Sequence, residues 1–391
     1  MTNISYFKSD VFRINETTTG EQHDVNLAIL PNGKFVAVYS DRSGNDGSQG
    51  GIFAQILDAQ FEPIGEEILV NTVTDFWQSK PNISSTQSGN FLVTWHDQGS
   101  LTAQFFDIDG LKIGEQFNVR SGFSHYADVA NNSNGDFWVT SNVAQDGIFI
   151  KKLSVEGADL TPDIEIGRDV FQSDPRITVL KDQRVLLTWS EKTEDGSSDI
   201  YGQIISDQGD INGSPFKLNQ TLDAAKSHAS VTALSDGGFV VAWESLNQDG
   251  DGYGIITRQF NSELVGSSEV IVNDVTSGDQ TNPITLALSQ GGFIIGWTDN
   301  VHINGGAVYA QRFDGFTKKI GSNFILNDDS ISSLNNSKDV DLVELENGSI
   351  IAAWDAWNGT RDIFARTISF NDDTYFKSDV FRINETTTGE Q

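Results

Sequence analysis

One short strand signal recurs seven times along this chain, and a chain that repeats at such a period folds as a solenoid, an array or a ring. The signal is an aromatic residue or glycine, then alternating apolar residues, then Trp. It reads KFVAVY at Lys34 to Tyr39, NFLVTW ending at Trp95, DFWVTS ending at Ser141 and RVLLTW ending at Trp189. GFVVAW, GFIIGW and SIIAAW follow, ending at Trp243, Trp297 and Trp354. Successive end positions lie 46 to 57 residues apart, which places insertions in loops.

Each copy follows a turn signal, Asn32-Gly33, Ser88-Gly89, Asn134-Gly135, Asp236-Gly237, Gln290-Gly291 or Asn347-Gly348, with Asp182-Gln183 in the fourth repeat. These pairs predict two-residue hairpins needing positive φ. A strand before the turn supplies the other arm, and a third strand follows a polar loop: IFAQIL from Ile52, LTAQFF from Leu101, IYGQII from Ile200, VYAQRF from Val308 and IFARTI from Ile363. A fourth ends often on Asn, as in FRIN at Phe12, ILVN at Ile68, FKLN at Phe216, VIVN at Val270 and FILN at Phe324. Four short antiparallel strands, repeated seven times without helical periodicity, predict an all-β fold: a seven-bladed β-propeller of four-stranded antiparallel blades. A ring also leaves no exposed sheet ends. The recurrent Trp is then core between blades.

Residues Tyr6 to Gln22 recur without change as Tyr375 to Gln391, an offset of 369 residues, or about 53 for each of seven repeats. The chain reads as one propeller domain over 1–391, with repeats from about 12 to 374 and 375–391 as a surplus outer strand. The last repeat has one outer slot and two identical candidates for it. The N-terminal copy is the expected occupant, giving a closed monomer; otherwise the surplus strand supports strand exchange or a tandem array.

Acidic residues number 55 against 25 basic, a formal charge of −30, which argues against nucleic acid as a partner. No stretch approaches bilayer length, so membrane insertion is not expected. Absence of cysteine removes disulfides and thiolate chemistry. The start, MTNISYFKSD, has neither the basic nor the apolar region of a cleaved export signal.

The unit LSDGGFVVAWESLNQDGDGYGIITRQF, Leu234 to Phe260, resembles the Asp-Gly-Gly-Phe-Val-Val-x-Trp, Gln-Asp-Gly, Gln-x-Phe repeats of very large secreted bacterial proteins of the RTX and adhesin type. The resemblance runs through all seven units, is strong in the fifth and sixth, and is weakest in the third, where Ser141 replaces Trp and Lys151 replaces Gln. It implies a secreted or cell-surface location and carries no functional residues across.

Alignment on the second strand puts a pair from every repeat at the channel mouth: His23-Asp24, Ser79-Lys80, His125-Tyr126, Ser173-Asp174, Ser227-His228, Thr281-Asn282 and Lys338-Asp339. Of these, His23, Asp24, Lys80, His125, Tyr126, Asp174, His228, Asn282 and Asp339 are the candidate ligand-binding residues. Trp77 joins them, since exposed aromatics in the polar loops (Phe76, Trp77, Phe123, Phe171, Trp357) suit a sugar face. The loop at Asn247, Asp249 and Asp251 matches the opening half of a Ca²⁺ loop, but its twelfth position is Arg258. Calcium is the one cofactor the sequence raises. No catalytic constellation stands out, so the expectation is a non-enzymatic binding or structural module holding a glycan or protein at the channel mouth. A carbohydrate-active enzyme, glycosidase or lyase, working in the same channel is the alternative.

Overall fold

The second and third strands of each repeat are nearly continuous apolar runs because they are buried on both faces, as sheets stacked in a ring require. A computed structural model describes residues 6–122, 124–143, 147–167, 171–222, 224–300, 306–327 and 335–370. Within them the chain is all-β, apart from a 3-10 turn at Pro31–Gly33, and forms seven antiparallel blades. Blades 1 to 7 start with innermost strands Gln22–Ile29, Gln78–Ser85, Ser124–Asn131, Gln172–Val179, Lys226–Ala233, Gln280–Ala287 and Asn335–Glu344. Blades 1 to 6 run outward in sequence order, as do the first three strands of blade 7, and the innermost strands touch their neighbours around a central channel.

Seven hydrophobic clusters fill the seven blade interfaces. The Trp rule holds at five of them: Trp95, Trp189, Trp243, Trp297 and Trp354 are buried, each against the preceding blade. Blade 3 breaks it in an informative way. Trp138, on the opposite face of the strand from Ser141, packs beside Trp189 between blades 3 and 4, while Phe105, Phe137 and Phe149 fill the interface that Ser141 leaves without a Trp.

The hairpin expectation is corrected in detail. Only Asn32-Gly33 has positive φ at both positions (64° and 73°); in the other five pairs the Gly alone does. Thr86 N donates to Asn90 O (2.8 Å) and Gly89 N to Thr86 O (2.9 Å), a three-residue loop ending in a left-handed residue. Blade 4 puts Gln183 there, at φ 70°.

The Asn after the fourth strand is a clasp. Asn71 Oδ1 accepts Ile52 N (2.8 Å), and its Nδ2 donates to Val73 O (3.0 Å) and Gln78 Oε1 (3.4 Å), tying the outer edge of blade 1 to the inner strand of blade 2. Asn219, Asn273 and Asn327 accept the equivalent backbone N–H. Asn71→Ala strands these buried groups and should lower stability by about 1–3 kcal/mol in urea titrations; an unchanged midpoint would refute the clasp.

Blade 7 is completed from the start of the chain. Tyr6–Lys8 and Phe12–Arg13 pair antiparallel with Arg361–Phe370. Ile14, 1% exposed, packs with Val25, Leu27, Ile351 and Ile363 between blades 7 and 1. Asn15 repeats the clasp, accepting Ile363 N (2.8 Å) and donating to Asp362 Oδ1 (2.8 Å). The duplicate, 375–391, lies outside the described residues.

Candidate functional site at the channel mouth

Every innermost strand begins with a register shift, between His23 and Asn26, Ser79 and Asn82, Ser124 and Ala127, Ser173 and Arg176, Ser227 and Ser230, Thr281 and Ile284, and Lys338 and Asp341. The bulge carries a left-handed residue in six blades: Asp24 (φ 58°), Lys80 (53°), Asp174 (54°), His228 (49°), Asn282 (53°) and Asp339 (51°). Asn, Asp and His are enriched among residues that adopt this conformation, whereas Lys is not. The backbone alone therefore does not account for Lys80.

The bulges surround a cavity of about 460 Å³ lined by Asp24, Lys80, Tyr126, His228, Asn282 and Asp339, with Asp128, Arg176 and Asp341 further down the strands. That volume falls in the range of small-molecule sites, roughly 300–1,000 Å³. Most of the predicted ring thus converges. Asp174 stands behind it, 5% exposed, with Oδ1 3.9 Å from His228 Nε2. His23 supports Asp24, Nδ1 to Oδ2 at 2.8 Å. Trp77 is on the rim, its indole donating to Gln49 beneath the Arg42 guanidinium, which is 4.8 Å from the ring. The His125 side chain and Phe123 lie outside the described residues.

The polar cluster spans several blades. His228 Nδ1 is 3.0 Å from Glu244 Oε2, and the His228 ring meets Tyr126 edge-on at 6.2 Å. Lys80 Nζ sits 4.4 Å from the Tyr126 ring centre. Burial disfavours the imidazolium, but the Glu244 hydrogen bond and charge and the Asp174 charge outweigh it, so the His228 pKa is raised. Burial also raises the Tyr126 phenol, with Asp174 adding to it. Arg176 brings a positive charge felt by Tyr126, Asp128, His228 and Asp341.

Carboxylates on the opposite side divide. Burial pushes Asp24 upward, yet His23, the Ser40 hydroxyl (3.1 Å) and Lys80 hold it below the usual value. Burial and then the charge of Asp339 push Asp355 up to about 8, despite Arg361 Nη1 at 2.6 Å. Deeper in the channel, Asp341 accepts Leu27 N (2.7 Å) and Asp128 accepts Ile177 N (2.9 Å), stitching neighbouring inner strands together. Burial raises both, Asp341 to about 6.

A carboxyl whose pKa is higher folded than unfolded binds more protons in the native state, so its stabilisation is complete below the unfolded pKa and is lost as pH rises through the folded one. For Asp341 the window runs from about 4 to about 6. Thermal melts of Asp341→Asn should fall less across that window than those of the parent chain; parallel curves would remove Asp341 from the account.

Arg176, Glu244 and Asp355 were absent from the predicted set. Arg176 is two residues beyond Asp174 on the same strand, and Glu244 and Asp355 directly follow Trp243 and Trp354. In blade 1, Ser40 holds the same position after Tyr39, and its Oγ accepts Lys80 N (3.1 Å) as Glu244 Oε1 accepts Asn282 N (2.7 Å).

In the acidic loop, Asp249 Oδ2 accepts Asn273 Nδ2 (2.6 Å), Asp251 Oδ2 accepts Gly278 N (3.1 Å), and Asn247 N donates to Gly252 O (2.5 Å). The two carboxylates thus have different partners. Among the described residues no group of three or more His, Cys, Asp or Glu is arranged to hold a metal ion.

No family model matches this sequence, and no curated protein does. Solved structures share the fold. A protein of unknown function from Dyadobacter fermentans aligns with TM-score 0.58 at 10% identity, over 94% of this chain and 99% of that one. An ulvan lyase of a polysaccharide lyase family, bound to -[GlcA(1-4)Rha3S]-, aligns with TM-score 0.60 at 10% identity, over 92% of this chain and 95% of that one. The expectation of a non-enzymatic module is corrected here. It rested on the lack of a catalytic constellation, whereas the mouth assembles acid, base and cationic groups, and a carbohydrate-active enzyme stands among the structures with this fold.

Proposed function

We propose that the protein is a carbohydrate-active enzyme of the polysaccharide lyase type, acting on a uronate-containing chain at the channel mouth. The observation that carries this reading is the grouping of His228, Tyr126, Lys80 and Arg176 around one cavity of an otherwise strongly acidic protein. Lys80 and Arg176 supply the positive charge that a uronate carboxylate needs as charge builds on it. Neutral His228 takes the proton at C5; the electron pair forms the C4=C5 double bond as the C4–O bond breaks; and the Tyr126 phenol protonates the departing oxygen. Glu244 and Asp174 stabilise the imidazolium that results. Export, which the repeat resemblance implies, would place the channel where such polysaccharides are met.

Incubation with ulvan and other polyuronates, followed by ultraviolet absorbance of the unsaturated product, tests the proposal. New reducing ends without that absorbance would overturn elimination and favour hydrolysis. The hydrolytic reading would draw instead on Asp24 and Asp339, two carboxyls that line the cavity, the first held below and the second raised above the usual value.

A further inference from the structure

A second, smaller pocket of about 180 Å³ opens beside the channel mouth between blades 4 and 5. Phe171, 67% exposed, forms one wall; Ser173, Ser190, Ser197, Ser198 and Ser227 supply hydroxyls; and Lys192 stands at the edge. An aromatic face opposite a hydroxyl-rich wall matches the two faces of a sugar ring.

Two observations connect this pocket to the site. Ser173 and Ser227 immediately precede Asp174 and His228, and Ser227 Oγ donates to the same Glu244 oxygen that holds His228 (3.0 Å). The pocket and the mouth thus share a wall. Ser190 is the blade 4 counterpart of Ser40 and Glu244, which hold a neighbouring blade's backbone N–H. Ser190 holds none: it is 4% exposed and its Oγ has no hydrogen-bond partner. A buried hydroxyl without a partner is uncommon and calls for one.

We infer that this pocket is a second sugar subsite of the proposed active centre, accepting the next ring of the same anionic chain. The polysaccharide then runs outward from the mouth across blades 4 and 5, with one ring against Phe171 and the Ser190 hydroxyl at the pocket floor. The enzyme would need at least two sugars on that side of the scissile bond and prefer longer chains. This inference rests on the reading above.

The test uses ulvan oligosaccharides of one, two and three disaccharide repeats with the full chain. In the parent protein kcat/KM should rise with length; in Phe171→Ala the ratio of long to short should fall by about tenfold, and Phe171→Trp should restore it. Ser190→Ala, which removes a hydroxyl without a protein partner, should keep its melting temperature and lose ~2–10-fold on the longer substrates. A length dependence identical in all variants would overturn the subsite while leaving the enzymatic reading intact. If no oligosaccharide is turned over, that reading fails first, and calorimetric binding of the same oligosaccharides decides the pocket: affinity lost in Phe171→Ala supports it, equal affinity overturns it.

Discussion

His228→Ala should lower kcat on a polyuronate by ~10²–10⁴-fold, the usual contribution of a positioned general base, with the fold intact by circular dichroism. Tyr126→Phe should cause a loss of similar size, because it removes the proton given to the leaving oxygen and little else. The pH profile separates catalysis from structure. Since Glu244 and Asp174 raise the His228 pKa, the free base forms only above the ordinary imidazole value, so the acidic limb of kcat/KM should lie above 6.5. Glu244→Gln removes that support and should move the limb to lower pH. The raised Tyr126 phenol keeps its proton past 10, which leaves a window on the alkaline side. An acidic limb that does not move in Glu244→Gln would sink the assignment of His228 as base.

Removing both 1–15 and 371–391 should produce the largest loss of stability. The first deletion takes away the outer strand of blade 7, the fully buried Ile14 and the Asn15 clasp, together on the order of 5 kcal/mol from burial and hydrogen bonds. Removing 371–391 alone should leave the described ring unchanged in urea titrations. Removing 1–15 alone should be rescued in large part, because 375–384 repeats 6–15 letter for letter and follows Phe370 after only four residues. Equal losses with and without the duplicate would show that it cannot take the slot.

The blades were legible because their strands carry an apolar code at fixed places. Even the Asn that ends the fourth-strand motif was visible, though not its purpose, since its partners come from a different repeat. The turns were misread because Asn-Gly fits both a two-residue hairpin and a three-residue loop, and only the register separates them. At the mouth, aligning the repeats found Lys80, Tyr126 and His228. It missed Arg176, two residues beyond Asp174, because the register shift between Ser173 and Arg176 is a backbone feature that the repeat pattern does not mark. The catalytic reading was hidden for a related reason. Lys80, Tyr126, Arg176 and His228 come one from each of four consecutive blades, so no linear motif contains two of them.

Closure by the chain's own beginning also sets an order of events. Six interfaces join segments adjacent in sequence and can form as each blade condenses, whereas the seventh brings Ile14 to Ile363 across almost the whole length of the chain. Such distant pairing is the slow step of folding. Until it occurs, the outer edge of Arg361–Phe370 is open to any extended chain that can add to it, the repeated segment 375–384 or a second molecule. The nascent molecule is therefore most prone to aggregation in the interval between its last blade and its first strand.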